Sequence, residues 1–276
     1  MFTPNFIVSD IDGTFINSAE RVDPRVRQAV INAVDAGAYF SFATGRPYRW
    51  IYPILEQLPL RPLCVSANGA VIYDSETDTV IKTYELVTET MAEVIDRARS
   101  ALAGTASMAI AVERAGHSAY QDETELFIMS PDFLRTWSNQ EFSIATEDEF
   151  IQQPAAKMLL RCESMTASEM YKLIAPVIPE ELAMVTYSMD EGLLEISAPG
   201  VSKLRGLEFL CSLYGVDANH TICFGDMPND IEMLRWAGYG VAMGNAHPAV
   251  KAISDEVTLS NDEAGVAYVL ERWFSQ

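Results

Sequence analysis

Apolar and polar residues change places along the first third of the chain in short blocks. Phe6-Ile7-Val8 is an apolar run that ends at Asp10, the pattern of a buried strand reaching a sheet edge. Asp23-Pro24 reads as an N-cap with proline at the first helical position. Val26, Ala29, Val30 and Ala33 keep helical spacing beyond it, and Gly37 stands where a C-cap falls. Tyr39–Ala43 reads as a second strand running into Thr44-Gly45-Arg46, followed by a helix that carries Trp50, Ile51, Ile54 and Leu55. Leu63–Ser66 reads as a third strand running into Asn68-Gly69. Strand and helix alternating through short loops predict a parallel sheet with right-handed crossovers.

The middle of the chain follows another pattern. Met91, Val94, Ile95, Ala98 and Leu102 mark a helix after Thr88, and strand-like pieces follow at 108–113, 126–129 and 157–162. A helix is expected over 168–175, with Pro176 and Pro179 at its exit. Runs at 184–188 and 193–196 flank Met189-Asp190-Glu191-Gly192, a hairpin turn. Helices and strands thus cluster separately, which predicts an inserted α+β domain over 84–190 within a core made of 1–83 and 191–276. Alternation returns at the end: helices over 201–214, 230–236 and 262–274, a strand at 221–224 that ends at Gly225-Asp226, and a short strand at Val241-Ala242. The fold class expected is α/β.

Charge narrows the partners. Nineteen Lys and Arg against 39 Asp and Glu leave a formal charge of −20. That argues against a general nucleic-acid binder, which needs a basic stripe to displace counterions, and against adhesion to anionic membranes. It does not exclude a phosphorylated substrate, because a bound metal supplies a local positive field. No apolar run approaches the ~20 residues of a membrane span. The first residues lack the basic and apolar regions of a signal peptide. Cys64, Cys162, Cys211 and Cys223 show no metal-type spacing and read as buried thiols of a reducing, cytoplasmic setting.

Four short segments then carry the chemistry: Asp10 to Thr14, Thr44-Gly45-Arg46, Ser202-Lys203 at a helix start, and Gly225 to Asp230. Three of them follow predicted parallel strands, the edge where open α/β sheets bind ligands. Asp10 and Asp12, two residues apart, can face one small site. Unpaired they repel, and a divalent cation relieves this while Gly13 lets the chain turn sharply. Such a pair suits a nucleophile and an acid/base partner. Alone, D-x-D-G equally describes an Asx-rich turn. An EF-hand fails, because its fifth position falls on Thr14 and its twelfth on Arg21. Asp226 and Asp230 add carboxylates suited to Mg²⁺, although Asp230 alone reads equally as the N-cap of the next helix. Thr44 with the amides after it offers a phosphate seat, and Lys203 a point charge for the same phosphate.

Taken together, D-x-D-G-T, T-G-R, the later S-K and G-D-x-x-N-D resemble the haloacid dehalogenase superfamily of aspartate-nucleophile phosphohydrolases. The resemblance runs from about residue 6 to the C-terminus. The insertion between the second and third motifs, with Asn68-Gly69-Ala70 and Met243-Gly244-Asn245-Ala246, looks like the Cof-like subfamily. The resemblance implies a Rossmann-like core with an α/β cap. It implies Asp10 as nucleophile and Asp12 as acid/base, with Mg²⁺ held by the Asp10 carboxylate, the Asp12 main-chain carbonyl and the Asp226 carboxylate. Asp230 would orient metal waters or Lys203. Thr44, the Gly45 amide, Lys203 and Asn229 would bind phosphate. Leu204 and Met227-Pro228 depart from the usual pattern without touching a catalytic group.

The expected activity is a Mg²⁺-dependent phosphatase of small phosphorylated metabolites, sugar phosphates foremost. A phosphosugar mutase or a dedicated sugar-phosphate phosphatase is the second reading. A non-catalytic phosphosugar sensor is a third, opposed by the retention of all four aspartates. Arg46 either steers substrate or pairs with a carboxylate, and Asn68 is a further substrate candidate. Tyr120, Arg114 and Lys157 are the cap residues considered for specificity. His117, His220 and His247 share no ligand spacing, and Trp50 and Trp137 read as packing residues.

Overall fold

The computed structural model describes residues 3–135, 141–188 and 191–274. Fourteen strands lie among them. In chain order they are β1 (Phe6–Ser9), β2 (Tyr39–Ala43), β3 (Leu63–Ser66), β4 (Val71–Asp74), β5 (Thr79–Thr83), β6 (Ala109–Glu113) and β7 (Phe127–Met129). The rest are β8 (Ser143–Ile144), β9 (Lys157–Arg161), β10 (Met184–Thr186), β11 (Leu193–Ser197), β12 (Thr221–Gly225), β13 (Tyr239–Ala242) and β14 (Glu256–Val257). The chain divides into two compact units, 1–81 with 203–276, and 82–202.

The first unit is built on an eight-stranded sheet of order β14-β13-β12-β1-β2-β3-β4-β5. From β14 to β3 every neighbouring pair is parallel. These strands read as unbroken apolar runs because helical crossovers leave little of them in water; β1, β3 and β12 are almost wholly buried. Asp23 caps the helix Pro24–Asp35 through the Arg25 amide, with Pro24 at its first position, as the pattern predicts. The helix expected around Trp50 is reduced to a 3₁₀ turn, Tyr48–Ile51, and one α-turn, Tyr52–Leu55. Pro53 has no N–H to offer the preceding turn, which limits any longer helix. The helix expected over 262–274 is broken at Ala264, which takes φ 58°, into Asn261–Glu263 and Gly265–Phe274. The pair β4 and β5 extends the sheet beyond the sequence expectation, β4 running antiparallel to β3.

The second unit is a six-stranded sheet of order β10-β11-β9-β6-β7-β8. The helices Thr88–Leu102 and Ala167–Ile174 bury the apolar stripes that mark them in sequence. Here one boundary is corrected. The sequence reading returns the chain to the core at 191, yet β11 pairs antiparallel with both β10 and β9. The two edges of β11 are therefore filled by strands of the second unit, which extends to 202. Trp137, Met189 and Asp190 lie outside the described residues.

Of the cap residues considered from sequence, Arg114 is buried and spends its guanidinium on the carbonyls of Phe150, Gln153 and Pro154. Lys157 is buried against Glu195 at 2.8 Å, and Tyr120 is exposed. The four cysteines are buried and free. No helix among the described residues is long and apolar enough to cross a membrane.

Candidate active site

Strand order explains why distant motifs meet. β12, β1, β2 and β3 are consecutive neighbours. The segments that leave their carboxyl ends, 226–230, 10–14, 44–46 and 67–69, therefore share one edge of the sheet.

Past β1 the chain turns through Ile11–Phe15, where Gly13 adopts φ 69°. A side chain at 13 would clash as well as strain the backbone, because an added Cβ would lie 2.3 Å from Asp226 Oδ2. The close approach lets Thr14 Oγ1 donate to Asp226 Oδ1 at 2.8 Å. From beyond β13, the Asn245 amide donates to the Gly13 carbonyl at 2.7 Å, and its oxygen accepts from the Asn261 N–H. Thr14 and Asn245 stand inside sequence motifs that give them no separate role. The bonds from Thr14 to Asp226 and from Asn245 to Gly13 join residues more than 200 positions apart, which no local pattern reveals.

Lys203 opens the helix Lys203–Tyr214. That helix lies close to the sheet because of Gly206: a Cβ there would come within 2.4 Å of Val65 Cγ1. The Lys203 ammonium is 1% exposed and donates to Asp10 Oδ1 at 2.7 Å and to Asp230 Oδ1 at 2.6 Å. Asp230 does not use its side chain to cap the following helix. Its Oδ2 accepts the amides of Asp226 and Met227, closing the 226–230 loop on itself. Pro228 sits at the first position of a 3₁₀ turn, where its missing N–H costs nothing.

Carboxylate oxygens of Asp10, Asp226 and Asp230 lie within 4.8 Å of one another, all buried. Burial and the neighbouring aspartates push the Asp10 carboxyl well above the usual carboxylate range, with Lys203 opposing. Burial first, then Asp230, push Asp226 up to about 7, with Thr14 and Lys203 opposing. Burial works against the charge on Lys203, but Asp10 and Asp230 outweigh it and its pKa is raised. Both oxygens of Asp230 are taken. By contrast, Oδ2 of Asp10 and Oδ2 of Asp226 accept no hydrogen bond among the described residues. Two free carboxylate oxygens in a cluster with surplus negative charge fit a hard divalent cation.

Asp12 extends away from this cluster, its side chain 55% exposed. Arg46 grips it with a fork, Nε to Oδ2 at 2.8 Å and Nη2 to Oδ1 at 2.6 Å. Of the two roles read for Arg46, the structure thus displays the carboxylate pairing. Thr44 is buried, and its Oγ1 accepts the Arg46 amide at 3.1 Å. Gly45, in the same loop, is half-buried. Asn68 is 2% exposed, and its Oδ1 accepts from Asn229 Nδ2 at 3.1 Å. His220 faces Asp217, and the His247 ring accepts the Ala249 amide.

Most of the chain matches a known family. Residues 7–270 match the family model of haloacid dehalogenase-like hydrolases. The chain is 27% identical to the 5-amino-6-(5-phospho-D-ribitylamino)uracil phosphatase YitU of Bacillus subtilis, over 99% of this chain and 98% of that one. It is 31% identical to the phosphatase YwpJ of the same organism, over 96% and 98%. The solved structure of the subclass IIB sugar phosphatase BT4131 superposes with a TM-score of 0.76 at 22% identity, covering 98% of each chain.

Proposed function

We propose, since the chain belongs to the haloacid dehalogenase-like hydrolases and is a phosphoric monoester hydrolase of that family, that it removes phosphate from small phosphorylated metabolites in a Mg²⁺-dependent reaction through an aspartyl-phosphate on Asp10. The observation that carries the reading is the buried Asp10–Lys203–Asp230 chain beside Asp226, with an oxygen of Asp10 and one of Asp226 left free. The Asp10 and Asp226 carboxylates and the Asp12 carbonyl would hold Mg²⁺, which when bound supplies charge neutralisation for the phosphoryl group.

The chain's own residues then do the following. A carboxylate oxygen of Asp10 attacks phosphorus, and the bond to the substrate's bridging oxygen breaks. Asp12 gives its proton to the departing alcohol. Asp12 next takes a proton from the water that attacks phosphorus, which frees the Asp10 carboxylate and inorganic phosphate. Lys203 neutralises Asp10 and the phosphoryl oxygens, and the Thr44 hydroxyl and Gly45 amide seat those oxygens. Asp230 orients Lys203 from the other side. Arg46 must release Asp12 before that side chain can reach the substrate's bridging oxygen, since the fork occupies both of its oxygens.

The substrates we favour are sugar phosphates. YitU is named for a phosphate on a ribityl chain and BT4131 as a sugar phosphatase, so in both relatives the phosphate sits on a polyhydroxylated carbon chain. The test is phosphate release, with and without Mg²⁺, from sugar phosphates, nucleotides, pyridoxal phosphate and flavin mononucleotide. Asp10→Asn should fold as the wild type does and lose turnover by several orders of magnitude. A variant that keeps its rate sinks the covalent mechanism. Product analysis from a hexose 6-phosphate separates a hydrolase, which frees phosphate, from a mutase, which returns an isomer.

A further inference from the structure

The turn after β3 has no part in the chemistry above, yet it is the most strained segment of the sheet edge. Ala67, Asn68 and Gly69 all sit at positive φ, 48°, 56° and 98°. For alanine the left-handed region costs about 1–2 kcal/mol; asparagine and glycine bear it more easily. Such strain persists only where the surroundings over-determine it, and here they do. The Asn68 N–H donates to the Thr44 carbonyl and the Ala67 N–H to the Arg46 carbonyl, each at 2.9 Å, so both ends of the Thr44-Gly45-Arg46 loop are tied to this turn. The Asn68 side chain then reaches across to the Asn229 amide in the 226–230 loop. One buried residue therefore holds two loops that come from opposite neighbours of β1.

A second observation points the same way. Asn229 Oδ1 is buried and has no hydrogen-bond partner among the described residues. Its nitrogen is fixed by Asn68 with one hydrogen uncommitted. An amide so held, with an orphan acceptor and a spare donor, is arranged to meet a ligand.

We propose that Asn68 is a positioning residue that acts through Asn229: it fixes the direction of the Asn229 amide and locks the 44–46 loop to the 226–230 loop, so that both address the same phosphoryl group. This rests on the phosphatase reading and replaces direct substrate contact as the role of Asn68. At 2% exposure that residue has little surface to offer a substrate.

The test is a double-mutant cycle on Asn68→Gly and Asn229→Ala. Glycine keeps the left-handed backbone and removes only the side chain. Two readouts are taken with Mg²⁺ present: kcat/KM on 4-nitrophenyl phosphate, and the dissociation constant of inorganic phosphate by calorimetry. Asn68→Gly should weaken both by about tenfold, or about 1.4 kcal/mol. In the Asn229→Ala background the same change should cost no more than about twofold. Effects that multiply, or an Asn68→Gly protein with wild-type values, overturn the proposal. Asn68→Ala removes the same amide but is strained, so its melting temperature should fall further while its kcat/KM matches that of Asn68→Gly. A loss that tracks stability instead also overturns it. Phosphate binding decides the role of Asn68 even if turnover is absent, whereas absent turnover in the wild type counts against the hydrolase reading alone.

Discussion

Each unit buries a lysine against a carboxylate, and the two arrangements behave differently. In the second unit Lys157 meets Glu195 at 2.8 Å, and the other oxygen of Glu195 accepts from Ser188. Both lie in mid-sheet strands, and each oxygen of Glu195 has a partner. In the first unit Lys203 meets two carboxylates, a third lies beside them, and two of their oxygens stay free at the ends of parallel strands. A buried ion pair is therefore no mark of function. The mark is negative charge that the protein's own donors leave incompletely matched, at a place where a ligand can enter.

The sharpest way to break this comparison is to remove each lysine. Lys203→Met should abolish phosphate release and lower the melting temperature at neutral pH, and Mg²⁺ should restore part of that stability. Lys157→Met should cost about 3–5 kcal/mol, as stranding a buried partner does, with no recovery on adding Mg²⁺. Metal rescue of both variants, or of neither, would erase the distinction.

Next comes pH. The carboxyls of Asp10 and Asp226 are raised in the folded state, so between the ordinary carboxylate range and about 7 the metal-free fold holds more protons than the unfolded chain. The stability that Asp226 contributes is full at low pH and is lost as pH rises through about 7, and Asp10 acts in the same direction. In EDTA the melting temperature should thus carry a falling component from pH 5 to 8, reduced in Asp226→Asn. Mg²⁺ affinity should rise over the same interval, because binding displaces those protons. A metal-free protein whose site contribution grows with pH would show that the carboxyls are not raised.

The smallest effect concerns helix placement. Gly206→Ala improves helix propensity by up to about 1 kcal/mol but drives a methyl into Val65, a clash costing about 1–3 kcal/mol. A modest net loss of stability is expected, with a several-fold fall in kcat as Lys203 shifts. Thermal melts beside kinetics would show whether the two losses travel together.

Much of this is legible in the sequence. The strand ends at Asp10, Thr44 and Asp226 were visible because apolar runs stop there at residues with distinctive chemistry. The helix that carries Lys203 was visible from its spacing. What escaped was set by contacts across long stretches of chain. Which carboxylate Arg46 grips, the tie from Asn245 to Gly13 and the link from Asn68 to Asn229 all depend on separate loops meeting. Asp230 reads equally as a site carboxylate and as a helix cap, because sequence shows the helix it precedes and not the amides that lie behind it. The boundary error at 191 has a similar cause. The hairpin is plain in the sequence, but the alternation that follows its second strand points to the core, whereas the strands it bonds lie in the second unit.

Asp10 and the ammonium that pairs with it are 193 residues apart in the chain. During synthesis Asp10 and Asp12 leave the ribosome before the second unit does, and the whole of that unit must be made before Lys203 appears. For that interval the growing chain carries half of a charge cluster, and β1 lacks its neighbour β12. The cluster therefore closes only after both units have been made, and a chain that stops short of Lys203 leaves Asp10 without its cation.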